Sequence, residues 1–288
     1  MTNLVSGRSG RGNARLIRNF LSGRFFLIRV PPRLATANQL EKETEMPANL
    51  AAAAAVTVIL VHGAFADGSS WNKVIANLQK KSVDAVAVQN PLSSLADDVA
   101  ATQRAIDAAK GPVVLVGHSW AGAVITQAGG DPKVKALVYI NAFAPDVGMS
   151  VNDLGKGAAP LPWQKTIIAS KDGFIWIPPD SVAANFAQDL PKSQAMMIAA
   201  TEGPTASRAF DDKLTVAAWH DKPSWYIVSR NDRMIAPDAE RAMARTIKAR
   251  VTEVDSSHVV MLSHPDKVAA VIENAVRSVS SPQVATAR

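Results

Sequence analysis

From residue 56 onward the sequence alternates short apolar runs with segments of helical periodicity, and this alternation constrains the fold more than any other feature. Residues 56–61 (VTVILV) form a β-branched, almost wholly apolar run, which is typical of a strand buried on both faces. A set of apolar residues then recurs at the spacing of one helix face, namely Trp71, Val74, Ile75 and Leu78. Strands that alternate with helices in this way predict βαβ units and a mostly parallel sheet with helices on both faces.

Further apolar runs predict strands of the same sheet at residues 85–88, 112–116, 134–143, 225–229 and 250–254. Helical patterns fall between and after these runs, including residues 237–249 and 265–279. The alternation stops between residues 144 and 222, where prolines, glycines and mixed helical segments intervene. A stretch of about 80 residues is too long for a loop inside a compact domain, so we predict a helical insertion there.

The predicted organisation is a single α/β core that is interrupted by a cap. Residues 55–144 and 223–280 form the core, and residues 145–222 form the helical cap. Residues 1–54 are an N-terminal extension, and residues 281–288 are a short tail. A chain of 288 residues, of which 48% are hydrophobic, can bury a core of this size. The sequence contains no cysteine, which excludes disulfide scaffolds, cysteine-ligated metal sites and cysteine nucleophiles.

The positive charge of the chain is concentrated near its N-terminus. The net charge is +6, but residues 1–45 carry eight basic and three acidic side chains, which leaves +1 for the rest. The body therefore lacks the basic surface that binds a nucleic-acid backbone, and no apolar run reaches the roughly 20 residues of a membrane span. The arginine-rich, acid-free segment 1–40 is typical of a transit peptide, which predicts export or organelle targeting. The leading interpretation is nevertheless a translation start at Met46, which predicts a cytoplasmic protein, and a disordered arm is the third.

Residues 117–122 (GHSWAG) lie between a predicted strand and a predicted helix. A serine at such a turn projects from the sheet edge, and small residues are needed two positions before and after it because the backbone is crowded. Position 121 is alanine where the strict motif has glycine, and alanine is small enough for the turn. A serine hydroxyl is a weak nucleophile until a base removes its proton. We therefore take Ser119 as the candidate nucleophile and look for a base and an acid at the same sheet edge.

Motifs in a characteristic order make the chain resemble the α/β-hydrolase family, in particular its compact bacterial and plant esterases. The matching segments are residues 61–65 (VHGAF) with Trp71, residues 117–122, residues 231–235 (NDRMI) and the pair Ser257 and His258. The resemblance covers residues 56–280 approximately. It implies the α/β-hydrolase fold, in which the insertion is a cap that roofs the site.

The resemblance also implies that the catalytic residues occur in the order serine, acid, histidine. Asp232 follows the predicted strand 225–229, and His258 follows the predicted strand 250–254 by four residues. Both would lie at the carboxyl ends of parallel strands, where sites form in open α/β sheets. We predict Ser119, Asp232 and His258 as a catalytic triad.

Two residues compete with these assignments, Asp255 as the acid and His264 as the base. The other titratable candidates receive structural roles: packing beneath the nucleophile for His118, ordering of a loop for His62, a surface position for His220 and solvated helix positions for Asp211 and Asp212.

An oxyanion hole needs two backbone N–H groups that point at the developing negative charge. One is expected from Trp120, directly after the nucleophile, and the resemblance implies the other at Ala64, with Phe65 as the neighbouring alternative. The predicted substrate pocket consists of aromatic residues from the core loops and the cap, namely Phe65, Phe143, Trp163 and Trp176. Some aromatic residues of the insertion are expected to form the core of the cap, and one or two are expected to line an apolar pocket.

The predicted function is that of a serine hydrolase that cleaves a small-to-medium carboxylic ester through an acyl-enzyme. No cofactor or metal is implied, and the expected partner is a small-molecule substrate, with no oligomeric state indicated. Haloalkane dehalogenases and epoxide hydrolases resemble the chain but need an aspartate nucleophile, so Ser119 argues against both. Lactonase, carbon–carbon hydrolase, thioesterase and cofactor-free perhydrolase reactions use the same triad and stay open. A ligand-binding receptor on a hydrolase fold is the alternative from a different class.

Overall fold

A computed structural model describes residues 55–280, and the predicted extension (1–54) and tail (281–288) lie outside the described residues. The strands, in chain order, are β1 (Thr57–Val61), β2 (Asp84–Val88), β3 (Val113–His118), β4 (Val134–Ile140), β5 (Ile168–Ala169), β6 (Phe174–Trp176), β7 (Thr205–Ala206), β8 (Ser224–Ser229) and β9 (Arg250–Val254). Within the described part of the chain, six strands form one parallel sheet in the order β2-β1-β3-β4-β8-β9. The predicted mostly parallel sheet is confirmed.

The helices, in chain order, are α1 (Asn72–Gln79), α2 (Leu95–Ala108), α3 (Ala121–Ala128), α4 (Val151–Leu154), α5 (Pro179–Ser181), α6 (Lys192–Thr201), α7 (Pro237–Thr246), α8 (Val260–Ser263) and α9 (Pro265–Ser280). α1 packs against α9, and α2 packs against α3. The chain moves one way across the sheet from β1 to β2 and the other way from β2 to β3. Right-handed crossovers therefore place α1 and α2 on opposite faces. None of the helices described here has the length and apolar character needed to cross a bilayer.

Local signals explain where several elements begin and end. The side chain of Ser94 accepts a backbone hydrogen bond in the first turn of α2, and Pro237 begins α7, where its missing N–H costs nothing. The predicted strand 134–143 is too long, because β4 ends at Ile140. The reason is that Asn141 adopts a φ of 47°, a left-handed conformation that does not continue a strand.

The insertion at residues 145–222 is not wholly helical. It contains α4, α5 and α6, 3₁₀ segments at Pro162–Thr166, Ser207–Asp211 and Ala218–His220, and a π-helical turn at Val182–Phe186. It also contains an antiparallel sheet in the order β5-β6-β7. The prediction of a helical cap was wrong on this point, because strands of two or three residues are too short to produce a recognisable alternation of apolar and polar side chains.

The parallel sheet determines where the predicted site residues lie. The loops after β1, β3, β8 and β9 all leave the carboxyl edge of the sheet, because neighbouring strands run in the same direction. These four loops carry Ala64, Ser119, Asp232 and His258, respectively. The order of the strands thus gathers residues from distant parts of the sequence at one edge.

Candidate active site

Ser119 lies in the sharp turn between β3 and α3 and has a φ of 53°. A left-handed conformation is unfavourable for a residue with a side chain, and such strain is concentrated at functional sites. The turn is held by its backbone: the N–H of Ser119 donates to the carbonyl of Ile140 at 3.2 Å. The carbonyl of Ser119 accepts from the N–H groups of Gly122 at 3.0 Å and Phe143 at 3.1 Å. The strained turn is therefore fixed to the loop that follows β4.

Steric crowding explains the small residues around Ser119. A Cβ atom at Gly117 would lie 2.6 Å from the carbonyl oxygen of Ala121, and a Cβ atom at Gly122 would lie 2.0 Å from that of Phe143. Both neighbours are backbone atoms that cannot rotate away. Ala121 itself is fully buried, so its single methyl group fits at the position where the strict motif has glycine.

Asp232 and His258 form a close buried pair. Nδ1 of His258 donates to Oδ2 of Asp232 at 2.6 Å, and Oδ1 of Asp232 accepts from the N–H groups of Met234 at 2.7 Å and Ile235 at 3.0 Å. Burial by itself raises the pKa of Asp232, but the charged form of His258 and these hydrogen bonds hold that pKa below its ordinary value. Asp232 is therefore a carboxylate that accepts a hydrogen bond from the imidazole ring.

His258 lies against the residue that precedes Ser119. Nε2 of His118 donates to the backbone carbonyl of His258 at 2.9 Å, and the two rings have their centroids 4.6 Å apart. Among the hydrogen bonds of residues 55–280, none joins the Ser119 hydroxyl to His258. Catalytic hydrogen bonds are often long without substrate and tighten in the complex. Burial lowers the pKa of His118 well below its ordinary value, so this ring is neutral.

The loop after β1 contacts the turn that carries Ser119. A Cβ atom at Gly63 would lie 2.8 Å from both the Cβ of Ser119 and the carbonyl oxygen of His118. The N–H groups of Ala64, Phe65 and Trp120 make no hydrogen bond within residues 55–280. These are the donors that the sequence predicts for an oxyanion hole. These N–H groups are available to a ligand because neither the loop after β1 nor the turn at Ser119 uses them in its own hydrogen bonds.

His62 orders this loop, as predicted. Its Nδ1 donates to the carbonyl of Gly63 at 2.9 Å, and its Nε2 accepts from the N–H of Asn90 at 2.9 Å. The amide of Asn90 donates back to the carbonyl of His62 at 2.9 Å. Burial lowers the pKa of His62, in agreement with a neutral ring that accepts at one nitrogen and donates at the other.

Two aromatic residues of the insertion contact the site. The indole N–H of Trp163 donates to the carbonyl of Met234 at 3.0 Å, and its ring lies edge-on to Phe65 at 6.2 Å. Trp163 thus joins the loop of Asp232 to the loop after β1. Phe186, in the π-helical turn, packs on the ring of His258 with centroids 5.2 Å apart.

The other predicted pocket residues differ in how they relate to the site. Phe143 is half-buried, and its backbone N–H donates a hydrogen bond to the carbonyl of Ser119. Trp176 lies in β6 of the insertion, and within residues 55–280 no hydrogen bond or ring contact joins it to the other site residues. A pocket of about 450 Å³ is lined in part by Asp232 and Arg230, but Ser119 does not line it.

The competing candidates lie elsewhere. The side chain of Asp255 is 74% exposed and pairs with Arg230 at 2.8 Å. His264 is half-buried, and its Nε2 donates to the backbone carbonyl of Asp255 at 3.1 Å. His220 is a surface residue, as predicted, and bonds to Asp146. Asp211 is exposed, but Asp212 is not simply solvated, because its carboxylate accepts from the N–H of Leu95 at the start of α2.

Sequence reasoning missed two buried acids, Asp98 and Glu240, and did not single out Phe186. Both acids are fully buried. Each lies on a helix face that is otherwise apolar: Asp98 one turn from Leu95, and Glu240 one turn from Met243. A charged residue on such a face is the signal that could have identified them. Phe186 carried no signal that separated it from the other aromatic residues of the insertion.

Three neighbouring side chains have the chemistry of metal ligands. The carboxylate oxygens of Asp232 and Glu240 and a ring nitrogen of His258 all lie within 4.8 Å of one another. The distance of 2.6 Å between Asp232 and His258 is that of a hydrogen bond. Two ligands that each lie about 2.0 Å from a tetrahedral zinc ion would be about 3.3 Å apart. The geometry therefore fits proton sharing rather than a shared metal ion.

The comparisons with known proteins agree with the architecture. Residues 58–271 match the sequence profile described as "Alpha/beta hydrolase family". A protein of Phoma sp. that is named a probable hydrolase is 27% identical over 238 residues, which cover 75% of this chain and 96% of that protein.

Solved structures share the fold at low identity. An extracellular α/β-hydrolase from a Paenibacillus species aligns with a TM-score of 0.67 and 20% identity, covering 76% of this chain and 98% of the other. A pyrethroid hydrolase from Sphingobium faniae aligns with a TM-score of 0.66 and 18% identity, covering 78% and 98%. The family profile matches well over half of the sequence, and the chain therefore belongs to the alpha/beta hydrolase family.

Proposed function

We propose that the protein is a serine hydrolase that cleaves a small-to-medium carboxylic ester by means of Ser119, His258 and Asp232. The observation that carries the proposal is the buried Asp232–His258 pair, with its 2.6 Å hydrogen bond, beside a serine held at a φ of 53°. An acid, a base and a strained serine at one sheet edge are what nucleophilic acyl transfer requires.

In the proposed reaction His258 removes the proton of Ser119 as Oγ attacks the ester carbonyl. The carbonyl oxygen becomes an oxyanion, which the free N–H groups of Ala64 and Trp120 would stabilise. His258 then gives its proton to the departing alcohol, which leaves an acyl group on Ser119. A water molecule, activated by the same histidine, releases the acid and restores the serine.

Asp232 keeps His258 in the tautomer that this reaction needs. Its carboxylate accepts the proton on Nδ1, so that Nε2 is free to act as the base. Two backbone N–H groups hold the carboxylate in place, and they limit its rotation away from the ring. In the acyl-transfer steps its negative charge stabilises the imidazolium.

The surroundings favour an apolar substrate. Ser119 and His258 are only 8% and 1% exposed, and the ring of Phe186 packs on that of His258. Phe65, in the loop after β1, packs against Trp163 of the insertion. No charged side chain of the described residues other than Asp232 is hydrogen-bonded to these groups. The name of the pyrethroid hydrolase among the similar structures also supports an ester of a largely apolar acid.

A hydrolase-fold receptor is the second candidate. The Paenibacillus structure is described as sharing structural and functional homology with a tobacco salicylic acid binding protein, which favours this alternative. A receptor should turn over ester substrates very slowly and gain thermal stability from a small aromatic acid.

The test is hydrolysis of p-nitrophenyl esters from acetate to decanoate by wild type, S119A and the surface control S278A. Wild type and S278A should hydrolyse one or more of these esters, and S119A should lose roughly 10⁴-fold or more in kcat/KM. Mass spectrometry of the wild type, quenched during turnover, should detect the acyl group on the peptide that contains Ser119. Full activity in S119A would overturn the proposed nucleophile. If the wild type is inert towards every ester while salicylate raises its Tm, the receptor alternative is favoured.

A further inference from the structure

The carboxyl group of Glu240 lies beside that of Asp232 in the interior of the protein. The side-chain amide of Asn141 donates to Oδ2 of Asp232 at 3.3 Å and to Oε1 of Glu240 at 3.1 Å. Glu240 is 0% exposed and Asp232 is 5% exposed. A carboxylate oxygen of each acid lies within 4.8 Å of one on the other, and the two acids share one amide donor away from water.

Too few basic side chains surround Asp232 and Glu240 to stabilise both of them as carboxylates. Among residues 55–280, neither acid pairs with a lysine or an arginine, and His258 is the one basic partner of Asp232. The other titratable group that faces Glu240 is Tyr226. Its pKa is raised by burial and further by the carboxyl groups of Glu240 and Asp232 when these are ionised. Arg241, on the same helix, instead pairs with the exposed Asp238 and with Glu253. Two adjacent carboxylates in such a site cannot both be ionised.

The hydrogen bonds decide which acid keeps the charge. Asp232 accepts from His258 and from the N–H groups of Met234 and Ile235, in addition to the shared amide. Glu240 accepts from one backbone group, the N–H of Ser229 at 3.1 Å, besides the same amide. The acid with more donors is stabilised as the anion.

We propose that Glu240 is a neutral carboxylic acid whose O–H donates to the carboxylate of Asp232 and so positions the acid of the proposed triad. Glu240 is a positioning residue, because it acts through Asp232 and does not reach the reacting atoms. Burial raises the pKa of Glu240 well above its ordinary range, and the charge of Asp232 raises it further. The role in catalysis rests on the proposed function, whereas the protonation state does not.

The first test is independent of activity. Infrared spectra at pH 8 compare the wild type with E240Q and with the partly exposed control E273Q, whose carboxylate pairs with Arg277. At that pH the other buried acids are ionised, because the pKa of Asp98 is raised to about 6 and that of Glu202 to about 7 by burial. We expect the C=O band of a neutral carboxylic acid in the wild type and E273Q and its loss in E240Q. The absence of this band from the folded wild type would overturn the proposal.

The second test uses the pH dependence of ester hydrolysis. Glutamine has the shape of a neutral glutamic acid and keeps an N–H donor for Asp232. E240Q should therefore fold and keep kcat/KM within about 3-fold, with an unshifted acidic limb. E240L should lose about 10-fold or more in kcat with little change in KM. If Glu240 were ionised, E240Q would remove a negative charge near His258 and move the acidic limb to lower pH, which would contradict the proposal. Failure of E240Q to fold would also contradict it. An inert wild type would overturn the proposed function, while the infrared result would still decide the state of Glu240.

Discussion

The indole N–H of Trp120 donates a hydrogen bond of 2.7 Å to the carboxylate of Asp98. The same carboxylate accepts from the N–H of Leu92 at 2.8 Å, so it joins the loop before α2 to the residue that follows Ser119. Trp120 also packs edge-on against Phe210 of the insertion. The orientation of the peptide that would hold the oxyanion is therefore controlled by a buried acid 22 residues away in the sequence.

We predict that Asp98 makes the stability of the protein fall as the pH rises from about 4 to 6. Burial raises the pKa of Asp98 to about 6, although the hydrogen bonds from Trp120 and Leu92 act in the opposite direction. The folded state therefore binds the proton more tightly than the unfolded state. Stability from this group is full below the unfolded pKa and is lost as the pH approaches the folded pKa.

The measurement is urea unfolding of the wild type and D98N at pH 4.5 and pH 7.5. Asparagine does not ionise, so D98N does not lose stability in this way. The difference in the free energy of unfolding between D98N and the wild type should therefore shift in favour of D98N by about 1–3 kcal/mol from pH 4.5 to pH 7.5. The exposed Asp238 supplies the control, and D238N should show the same pH dependence as the wild type. An equal difference at both pH values would refute the prediction.

Replacement of Asp232 should be far more harmful than replacement of its competitor Asp255. D232N keeps the shape of the side chain but presents an amide to His258 and favours the wrong tautomer. We expect kcat for ester hydrolysis to fall by roughly 10³–10⁴-fold in D232N. D255N loses only the exposed pair with Arg230, so its kcat should stay within about 2-fold, because such pairs contribute little. Comparable losses in both variants would argue against Asp232 as the acid.

The close approach of Gly63 to Ser119 predicts that G63A is damaged in catalysis. The added methyl group would lie 2.8 Å from the Cβ of Ser119, so the loop must move away from the turn. A displacement of about 1 Å in the oxyanion donors can reduce kcat by about 10²-fold. Gly155 offers the control, because a Cβ atom there would lie 3.8 Å from its nearest neighbour and its φ is −89°. Steady-state kinetics of G63A and G155A should differ accordingly, and wild-type kcat in G63A would show that the loop does not need this contact.

The hydrogen bond from Trp163 to Met234 predicts a role for the insertion in holding substrate. W163F keeps an aromatic ring against Phe65 but removes the indole N–H, at a cost of about 1 kcal/mol. We expect a several-fold higher KM with kcat nearly unchanged. The matched variant W176F alters a tryptophan in β6 and should have wild-type constants. A larger effect of W176F than of W163F would place the substrate on a different part of the insertion.

A feature of the fold or the site could be predicted from the sequence when the residues that interact lie close together in the chain. The residues around Ser119 are neighbours in the chain, and the crowding that requires Gly117 comes from Ala121, so a short motif records it. The crowding at Gly122 comes from Phe143, which only the folded chain brings close. The strands and helices of the core have periodicities that follow directly from backbone geometry. The short strands β5 to β7 have too few residues to show such a period, and their pairing is visible only in the folded chain.

By itself the sequence determined the βαβ alternation, the order of the site motifs and the residues that could act as nucleophile, base and acid. Only the tertiary structure decided which groups surround them. Asn141 and Glu240 are 99 residues apart, and their contact exists because β4, β8 and α7 pack together. Burial and the supply of hydrogen-bond donors decide whether Glu240 or Asp232 carries a charge. Both quantities are properties of the packed interior, and no single segment of the chain contains them.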